Sequence, residues 1–309
     1  MGEDAADAGP FGRGVVRRER GTARREGRLA DTTVADGEVQ VRIWGARGSV
    51  ACPGPQTVRY GGNTACVEVR CGSRVLVFDG GTGIRGLGNA LAAEEPGEID
   101  VYLTHFHLDH VAGLPFFEAA YRAGNRVRFH AARLNAEIGL RDILCRMMSP
   151  PLFPIPIDEF RAEVSFNEFD AGDVLRPKDG SRLETRLLNH PGGACGYRLV
   201  VGERVIAYVT DTEHEPGRPD AAVLALMQDA DVAIYDATYT DAEFETHRGW
   251  GHSTWSEGIR LADAAGVGTL VLFHHDPSHD DAAMDKIALD AATARPGTMV
   301  AREGLVLLP

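Results

Sequence analysis

The sequence predicts an α/β protein, a mixed sandwich in which helices cover the outer faces of two central sheets. Stretches typical of strands alternate with stretches typical of helices in both halves of the chain. The 309 residues, 44% of them hydrophobic, are enough for one large domain with a full core. Every sheet and helix must bury an apolar face, and stacking the elements in layers buries all of these faces.

Residues 1–38 differ in composition from the rest of the chain. They are rich in Gly, Ala, Arg and Asp and contain almost no large apolar side chains. Such a segment cannot bury enough surface to offset its ordering entropy. We therefore predict a disordered tail over residues 1–38 and one folded domain over residues 39–309. The arginine-rich stretch 13–28 is interpreted as solvated; the alternative is an electrostatic tether to an acidic partner.

The first half of the domain starts with strands and then alternates. VQVRIW at 39–44 has an apolar residue at every second position, which is typical of a strand with one buried face. TACVEVR and RVLVFD flank Cys71-Gly72-Ser73 in the pattern of a hairpin. By the same criteria, strands are predicted at 39–44, 64–70, 74–79, 99–104 and 126–130, and helices at 83–93, 111–123 and 135–148.

The second half begins after a segment, 149–160, that is too rich in proline for a regular element. Beyond it, the alternation of strand and helix patterns resumes, without an internal repeat of fixed period. The sequence predicts strands at 183–189, 196–201, 204–210, 231–235, 268–273 and 304–308, and helices at 218–229, 254–265 and 280–294.

Charge and composition exclude several classes of function. The formal net charge is −13, so most of the surface repels a polyanion such as tRNA, and a general nucleic-acid binder is disfavoured. The expected partner is a small-molecule substrate. No apolar run is long enough to span a bilayer, and the first residues lack the apolar region of a secretory signal. We expect a cytoplasmic protein whose five cysteines, without a CxxC pair, are reduced.

The most informative segment is Thr104-His105-Phe106-His107-Leu108-Asp109-His110, directly after a predicted buried strand. His105 and His107 are two residues apart, so in an extended turn they point the same way. Asp109 and His110 then lie where the next helix begins. Imidazole and carboxylate are the ligands that zinc prefers where no thiolate is offered. The segment therefore predicts a metal site.

This segment matches the HxHxDH signature of the metallo-β-lactamase superfamily, and residues 39–309 resemble that family throughout. The resemblance implies an αββα four-layer sandwich and a site for two Zn²⁺ ions, with Mn²⁺ or Fe as possible replacements. It also implies that the remaining ligands follow strands, as His190, Asp211 and His274 do here. His275 is the alternative to His274. The implied ligands are His105, His107 and His190 for one ion, Asp109, His110 and His274 for the other, and Asp211 as the bridge.

Further motifs resemble the tRNase Z-like branch of that family. In this branch an acidic residue and a histidine form a proton-donating pair, and Asp236 and His252 occupy their places. Tyr235 replaces the usual histidine of the first motif. The resemblance implies catalytic roles for Asp109, Asp236 and His252; the alternative for the last two is a structural pair. Asp79 is expected to orient a ligand imidazole from beneath the metals, or else to serve as a turn carboxylate.

Two residues near the start of the domain are candidates for substrate binding. The segments WGARGS, which contains Arg47, and YGGNT, which contains Asn63, resemble segments of bacterial members of the same branch. The alternative places Arg47 at the surface and Asn63 in a turn. The proline-rich segment 149–160 is expected to pack Phe153 near the mouth of the site as a flap, or to be core or dimer contact.

The resemblance implies a di-zinc phosphodiesterase that cleaves a small or cyclic nucleotide-like phosphodiester through metal-bound hydroxide. The alternative is a thioesterase, lactonase or other carboxyl-ester hydrolase. A tRNA 3′-processing nuclease is less favoured, because the sequence lacks a basic insertion for gripping tRNA. A di-iron redox enzyme and a non-catalytic binding module are weaker still. A homodimer is expected by analogy with the branch.

Overall fold

The computed structural model of the chain describes residues 15–17, 38–134, 137–177 and 180–309. Within these ranges, an eight-stranded and a seven-stranded sheet carry helices on their outer faces. The first sheet has the order β1-β15-β2-β3-β4-β5-β6-β7. Its strands are β1 (Val15–Arg17), β2 (Val39–Gly45), β3 (Cys66–Cys71), β4 (Arg74–Phe78), β5 (Glu98–Leu103), β6 (Arg126–Ala132), β7 (Glu163–Phe169) and β15 (Val306–Leu308).

The second sheet has the order β14-β13-β12-β11-β10-β9-β8. Strands β4 to β7 of the first sheet and β11 to β14 of the second are parallel to their neighbours, so their carboxyl ends share one edge. The strands of the second sheet are β8 (Val174–Leu175), β9 (Arg182–Leu188), β10 (Ala194–Val201), β11 (Arg204–Val209), β12 (Val232–Asp236), β13 (Thr269–Phe273) and β14 (Met299–Val300).

The helices pack on the two outer faces. Helices α1 and α4 bury apolar side chains against the outside of the first sheet, and α5, α7 and α8 against the outside of the second. Short 3-10 helices lie at Leu114–Phe116 and Ile157–Glu159. The α-helices are α1 (Ile84–Ala92), α2 (Leu108–Val111), α3 (Glu118–Tyr121), α4 (Leu140–Met147), α5 (Ala221–Met227), α6 (Asp241–Phe244), α7 (Trp255–Ala264) and α8 (Asp281–Ala294).

The central core lies between the sheets. Alternate residues of β2 point into it, as the period of VQVRIW predicts. Phe78 of the first sheet lies 5.4 Å, between ring centroids, from both Tyr197 and Tyr208 of the second. Together with the outer helices, this core confirms the predicted α/β four-layer sandwich.

Several elements differ from the sequence prediction. The helix expected at 111–123 is broken into α2, a 3-10 turn and α3, because Gly113 packs against the backbone of Gly81, where a Cβ would lie 2.1 Å from the carbonyl oxygen. Strand β7 was not predicted, since four of its seven side chains are exposed and only Val164 and Phe166 pack partly against the helices outside the sheet.

The predicted disordered tail falls mostly outside the described residues. Its residues 15–17 form β1, which pairs in parallel with β15 at the edge of the first sheet. For the remainder of residues 1–37, disorder stays a prediction. Among the described ranges, no helix is both long and apolar enough to cross a membrane.

Candidate metal centre

Three histidines form the first half of a side-chain cluster at the carboxyl ends of the central strands. His105 and His107 follow β5, and the backbone at His107 is still extended before α2 begins, so both imidazoles project from one short turn. Their ring centroids are 4.4 Å apart. His190 follows β9 in the other sheet, and its Nε2 lies 3.1 Å from Nδ1 of His107. His107 is the residue of this trio that is exposed to solvent.

Four buried residues form the second half of the cluster. Asp109 and His110 lie in the first turn of α2, and His274 directly follows β13. Nε2 of His274 lies 3.1 Å from Oδ2 of Asp109 and 3.3 Å from Nε2 of His110. Asp211, after β11, brings Oδ2 to 3.2 Å from Nε2 of His110.

Asp211 also links the two halves. Its Oδ1 lies 3.9 Å from Nε2 of His105 and 3.8 Å from Nε2 of His190. The same oxygen lies 3.4 Å from Nε2 of His274. The structure therefore gathers all seven residues that the sequence resemblance implies as ligands, and Asp211 has the position of a bridge.

The chemistry of this cluster fits divalent metal ions. Nε2 of His105 is buried and has no hydrogen-bond partner among the described residues, so its lone pair faces the cluster unsatisfied. Burial, which is the largest influence, lowers the pKa of His105 well below its usual value and keeps the imidazole neutral, as a metal ligand must be. Burial also opposes charge on His110, yet Asp211, Asp79 and Asp109 raise its pKa well above the usual value. This surplus of carboxylate charge favours a cation.

Asp79 holds His110 from beneath the cluster. Nδ1 of His110 lies 2.8 Å from Oδ2 of Asp79, and this contact leaves Nε2 to face the other residues of the cluster. The carboxylate also accepts bonds from the amide of Thr104 at 2.8 Å and from the hydroxyl of Tyr208 at 2.9 Å. Because Tyr208 belongs to the second sheet, Asp79 connects the two sheets directly under the site.

The adjacent histidines His274 and His275 point in different directions. Nδ1 of His274 contacts the hydroxyl of Thr238 at 3.1 Å, and Nε2 faces the cluster. Nε2 of His275 instead lies 2.8 Å from the carbonyl oxygen of Ala301. Complete burial lowers the pKa of His275 to about 3, although that bond opposes the shift. The geometry therefore favours His274 as the ligand.

Three cluster residues have unusual backbone conformations. Asp79, Asp211 and His274 each adopt a positive φ, at 63°, 59° and 61°. Non-glycine residues rarely adopt this left-handed region, in which Asp, Asn and His are the most tolerated types. All three follow the ends of buried parallel strands, so a sharp reversal there turns each side chain toward the cluster.

Asp236 and His252 form a buried pair beside the seven residues. Nδ1 of His252 lies 3.0 Å from Oδ2 of Asp236 and 3.8 Å from Oδ1 of Asp211. Burial alone lowers the pKa of His252, but Asp236 and the more distant carboxylates raise it to about 9. Asp236 is fixed by the amide of Asp211 at 2.9 Å and the hydroxyl of Thr238 at 2.8 Å.

Arg47 and Asn63 lie in the loop between β2 and β3. The guanidinium of Arg47 is buried, and it donates to the carbonyl oxygens of Gly61 at 2.8 Å and His279 at 2.6 Å, so it holds loops together. Asn63 contributes through its backbone, because its carbonyl accepts the amides of Ala46 and Arg47. A substrate-binding role for either residue stays a prediction.

Phe153 of the proline-rich segment packs against Phe116, with ring centroids 5.5 Å apart. These two rings line a groove of about 650 Å³ beside α1 and α3. The segment thus covers the helices outside the first sheet. The predicted contact of Phe153 with the mouth of the site stays a prediction.

Sequence reasoning missed several residues that shape the cluster. The amide of Ser49 donates to Oδ2 of Asp109 at 2.7 Å. Gly48 passes so close to His274 that a Cβ would lie 2.3 Å from the imidazole. Gly251 approaches His190 equally closely and accepts a bond from it at 2.8 Å. The signal for these contacts is the position of Gly48 and Gly251 inside motifs that carry the family resemblance.

Comparison with known proteins agrees with this geometry. A family described as "Beta-lactamase superfamily domain" matches residues 74–275 of the chain. Ribonuclease Z of Haloarcula marismortui is 26% identical over 86% of this chain and 94% of its own length. Ribonuclease Z of Gemmatimonas aurantiaca is 26% identical over 74% of this chain and 85% of its own.

Solved structures show the same fold. The metallo-β-lactamase fold protein YhfI of Bacillus subtilis superposes with a TM-score of 0.65 at 18% identity, covering 89% of this chain and all of its own. A diphosphatase of the PhnP family also gives 0.65, at 16% identity over 88% of this chain and 97% of its own. Human tRNase Z, short form, gives 0.57 at 20% identity over 86% and 98%.

The fold and the buried cluster of histidines and aspartates define a metal-dependent hydrolase. The chain belongs to the β-lactamase superfamily and has the metallo-β-lactamase fold.

Proposed function

We propose that the protein is a di-zinc phosphodiesterase acting on a small or cyclic nucleotide-like substrate. The observation that carries the proposal is the Asp236–His252 pair, which is buried and lies against a cluster of seven metal-binding side chains. In this proposal His105, His107 and His190 hold one ion, and Asp109, His110 and His274 hold the other, with Asp211 between them. Two bound divalent ions would activate water as a nucleophile and clamp the phosphoryl oxygens.

Zinc is proposed because the donor atoms are imidazole nitrogens and carboxylate oxygens in a compact, buried set. The Asp79 bond to His110 and the Thr238 contact to His274 fix the orientation of these imidazoles before any ion arrives. A site that is oriented in advance loses less entropy on binding, which supports tight metal binding.

His252 supplies the proton in this mechanism. Asp236 accepts from Nδ1, so the protonated imidazolium, which carries its second proton on Nε2, can donate that proton to a departing oxygen and become the neutral imidazole. A sugar alkoxide is a poor leaving group and needs such a donor. The need is weaker for a thiolate, which favours a phosphodiester over the thioester alternative.

Two features support a small substrate. The chain has a net charge of −13 and contains two lysines among 309 residues, so it lacks a lysine-rich element for gripping a long polyanion. The relatives named ribonuclease Z nevertheless favour a second candidate, a nuclease that processes tRNA 3′ ends.

A panel of substrates tests the proposal. Zinc-loaded protein is assayed against bis(p-nitrophenyl) phosphate, 2′,3′- and 3′,5′-cyclic nucleotides, a tRNA precursor, thioesters and lactones. We expect turnover of phosphodiesters and no turnover of thioesters or lactones above that of Asp211→Asn protein. Turnover confined to thioesters or lactones would overturn the proposal, and turnover confined to the tRNA precursor would establish the second candidate.

A further inference from the structure

Trp250 is a large apolar side chain that the fold leaves in solvent beside the site. It is 61% exposed, although tryptophan is among the residues that gain most from burial. It directly precedes Gly251, whose backbone contacts His190, and is two residues from His252. Its exposure and its place next to residues of the site leave the indole available for contact with a ligand.

The loop that carries Trp250 is held rigidly on both sides. The carboxylate of Glu213 accepts the amide of Gly249 at 2.8 Å and the amide of Gly251 at 2.8 Å. Both glycines adopt positive φ, at 86° and 88°, which other residues rarely do. The amide of Trp250 itself donates to the carbonyl oxygen of His247 at 3.1 Å. The exposed position of the indole is therefore built into the backbone.

A series of aromatic rings connects this indole to the candidate proton donor. His252 lies edge-on to Tyr239, with centroids 6.0 Å apart. Tyr239 stacks on His247 at 4.6 Å, and His247 meets the ring of Trp250 edge-on at 4.9 Å. Because Trp250 contacts His247 and is still 61% exposed, the indole is supported by one neighbouring ring and remains open to solvent.

We propose that Trp250 is a specificity-determining residue whose indole stacks on the nucleobase of the substrate. This inference rests on the proposed function and narrows its substrate class to phosphodiesters that carry a nucleobase. Stacking on a preformed aromatic face needs no base-specific hydrogen bond, so it tolerates different bases. The rigid loop keeps the entropic cost of this contact low.

Two esters with the same leaving group test the inference: thymidine 5′-(p-nitrophenyl) phosphate, which carries a base, and methyl p-nitrophenyl phosphate, which does not. We expect Trp250→Ala to lower kcat/KM about tenfold or more for the first ester, mainly through KM, and to leave the second unchanged. Trp250→Phe should retain most of the activity. Leu289→Ala, which removes an equally exposed apolar side chain from α8, is the matched control and should change neither.

Equal losses on both esters, or no loss on the first, would overturn the inference. Binding gives a second readout that does not depend on turnover. Thymidine 5′-monophosphate should quench the tryptophan fluorescence of the wild-type protein and not that of Trp250→Phe; equal quenching in both would also overturn it. If the wild-type protein cleaves neither ester, the proposed function fails, while the quenching experiment still decides the role of Trp250.

Discussion

A substitution of His252 distinguishes a role in proton transfer from a role in metal binding. It is not among the seven proposed ligands, so His252→Ala should keep its full metal content. General acid catalysis is worth about 10²–10⁴ in rate. We expect a loss of that order for substrates with alkoxide leaving groups and a small loss for p-nitrophenyl esters, whose leaving group departs without a proton. The measurement is kcat/KM on both kinds of ester, with zinc content determined on the same samples.

Asp236→Asn should show the same pattern more weakly, because Asp236 orients and polarises the imidazole without meeting the substrate. An equal loss on both leaving groups, or a loss of zinc, would contradict the donor role. His252 would then be a ligand or a structural residue.

Asp79 offers a second test on a single residue. Asp79→Asn keeps the size of the side chain and suits the positive φ at this position, but it removes the charge that faces His110. Because such supporting partners typically govern metal affinity by about 10–100-fold, we expect zinc affinity to fall by that factor. Competition with a chelator measures it.

Tyr208→Phe is the graded control, since it removes one hydrogen bond from a neutral donor to Asp79 and leaves the carboxylate in place. Its effect on zinc affinity should be smaller than that of Asp79→Asn. The reverse order would mean that packing between the sheets, and not the charge of Asp79, sets the affinity.

The residues of the cluster could be predicted where a motif marks the end of a buried strand. His105, Asp211 and His274 each follow such a strand, and the structure brings them together. Arg47 could not be assigned in this way, because its partners are backbone carbonyls of residues 61, 276 and 279, far away in sequence. Every residue has a backbone carbonyl oxygen, so such a contact cannot be predicted from the type of residue that provides it.

At the scale of elements, the loop between β2 and β3 presses against the cluster. Gly48→Ala would place a Cβ 2.3 Å from the imidazole of His274, so that ring or the loop must shift. We expect zinc affinity to fall by about tenfold or more, as for other disturbances of a ligand's support. Gly54→Ala in the same loop is the matched control, because a Cβ there meets no atom within 4 Å. Equal zinc affinities in the two variants would contradict the prediction, because they would show that the loop moves to accommodate the added Cβ without disturbing His274.

Strands and helices with a regular period of apolar residues were predicted from the sequence, and those without such a period were not. The alternation of apolar and polar residues in 39–44 predicted the bounds of β2 to within one residue, because one face of that strand is buried. Strand β7 has only a partly buried face, formed by Val164 and Phe166, and it pairs with β6 at the edge of the sheet. The helix expected at 111–123 is interrupted because Gly113 and Pro115 serve the close packing of the turn above Gly80 and Gly81.

At the scale of the molecule, the proposed ligands come from both sheets. His105, His107, Asp109 and His110 follow a strand of the first sheet, while His190, Asp211 and His274 follow strands of the second. Metal ions that bind this cluster would therefore join the two halves of the sandwich. Binding to the folded state alone stabilises it by RT ln(1 + [L]/Kd), or about 4 kcal/mol at a thousandfold excess over Kd.

Zinc loading should accordingly raise Tm by on the order of 10 °C, because about 1 kcal/mol corresponds to roughly 2–4 °C in a domain of this size. Differential scanning calorimetry of chelator-treated and zinc-loaded protein measures the shift. Asp211→Asn, which weakens the proposed bridge, should show a much smaller one. A Tm that is unaffected by zinc in the wild-type protein would contradict the joining of the sheets by metal.

The order of these residues along the chain has a consequence for biosynthesis. On the proposed ligand set, the trio His105, His107 and His190 is complete once residue 190 has left the ribosome, whereas the second set waits for His274. A growing chain that emerges at about 5–20 residues per second thus passes through an interval in which one set of donors exists and the other does not. On this ligand set, a second ion would bind only after strand β13 has been synthesised and paired, so metallation of the pair would be completed late in the maturation of the protein.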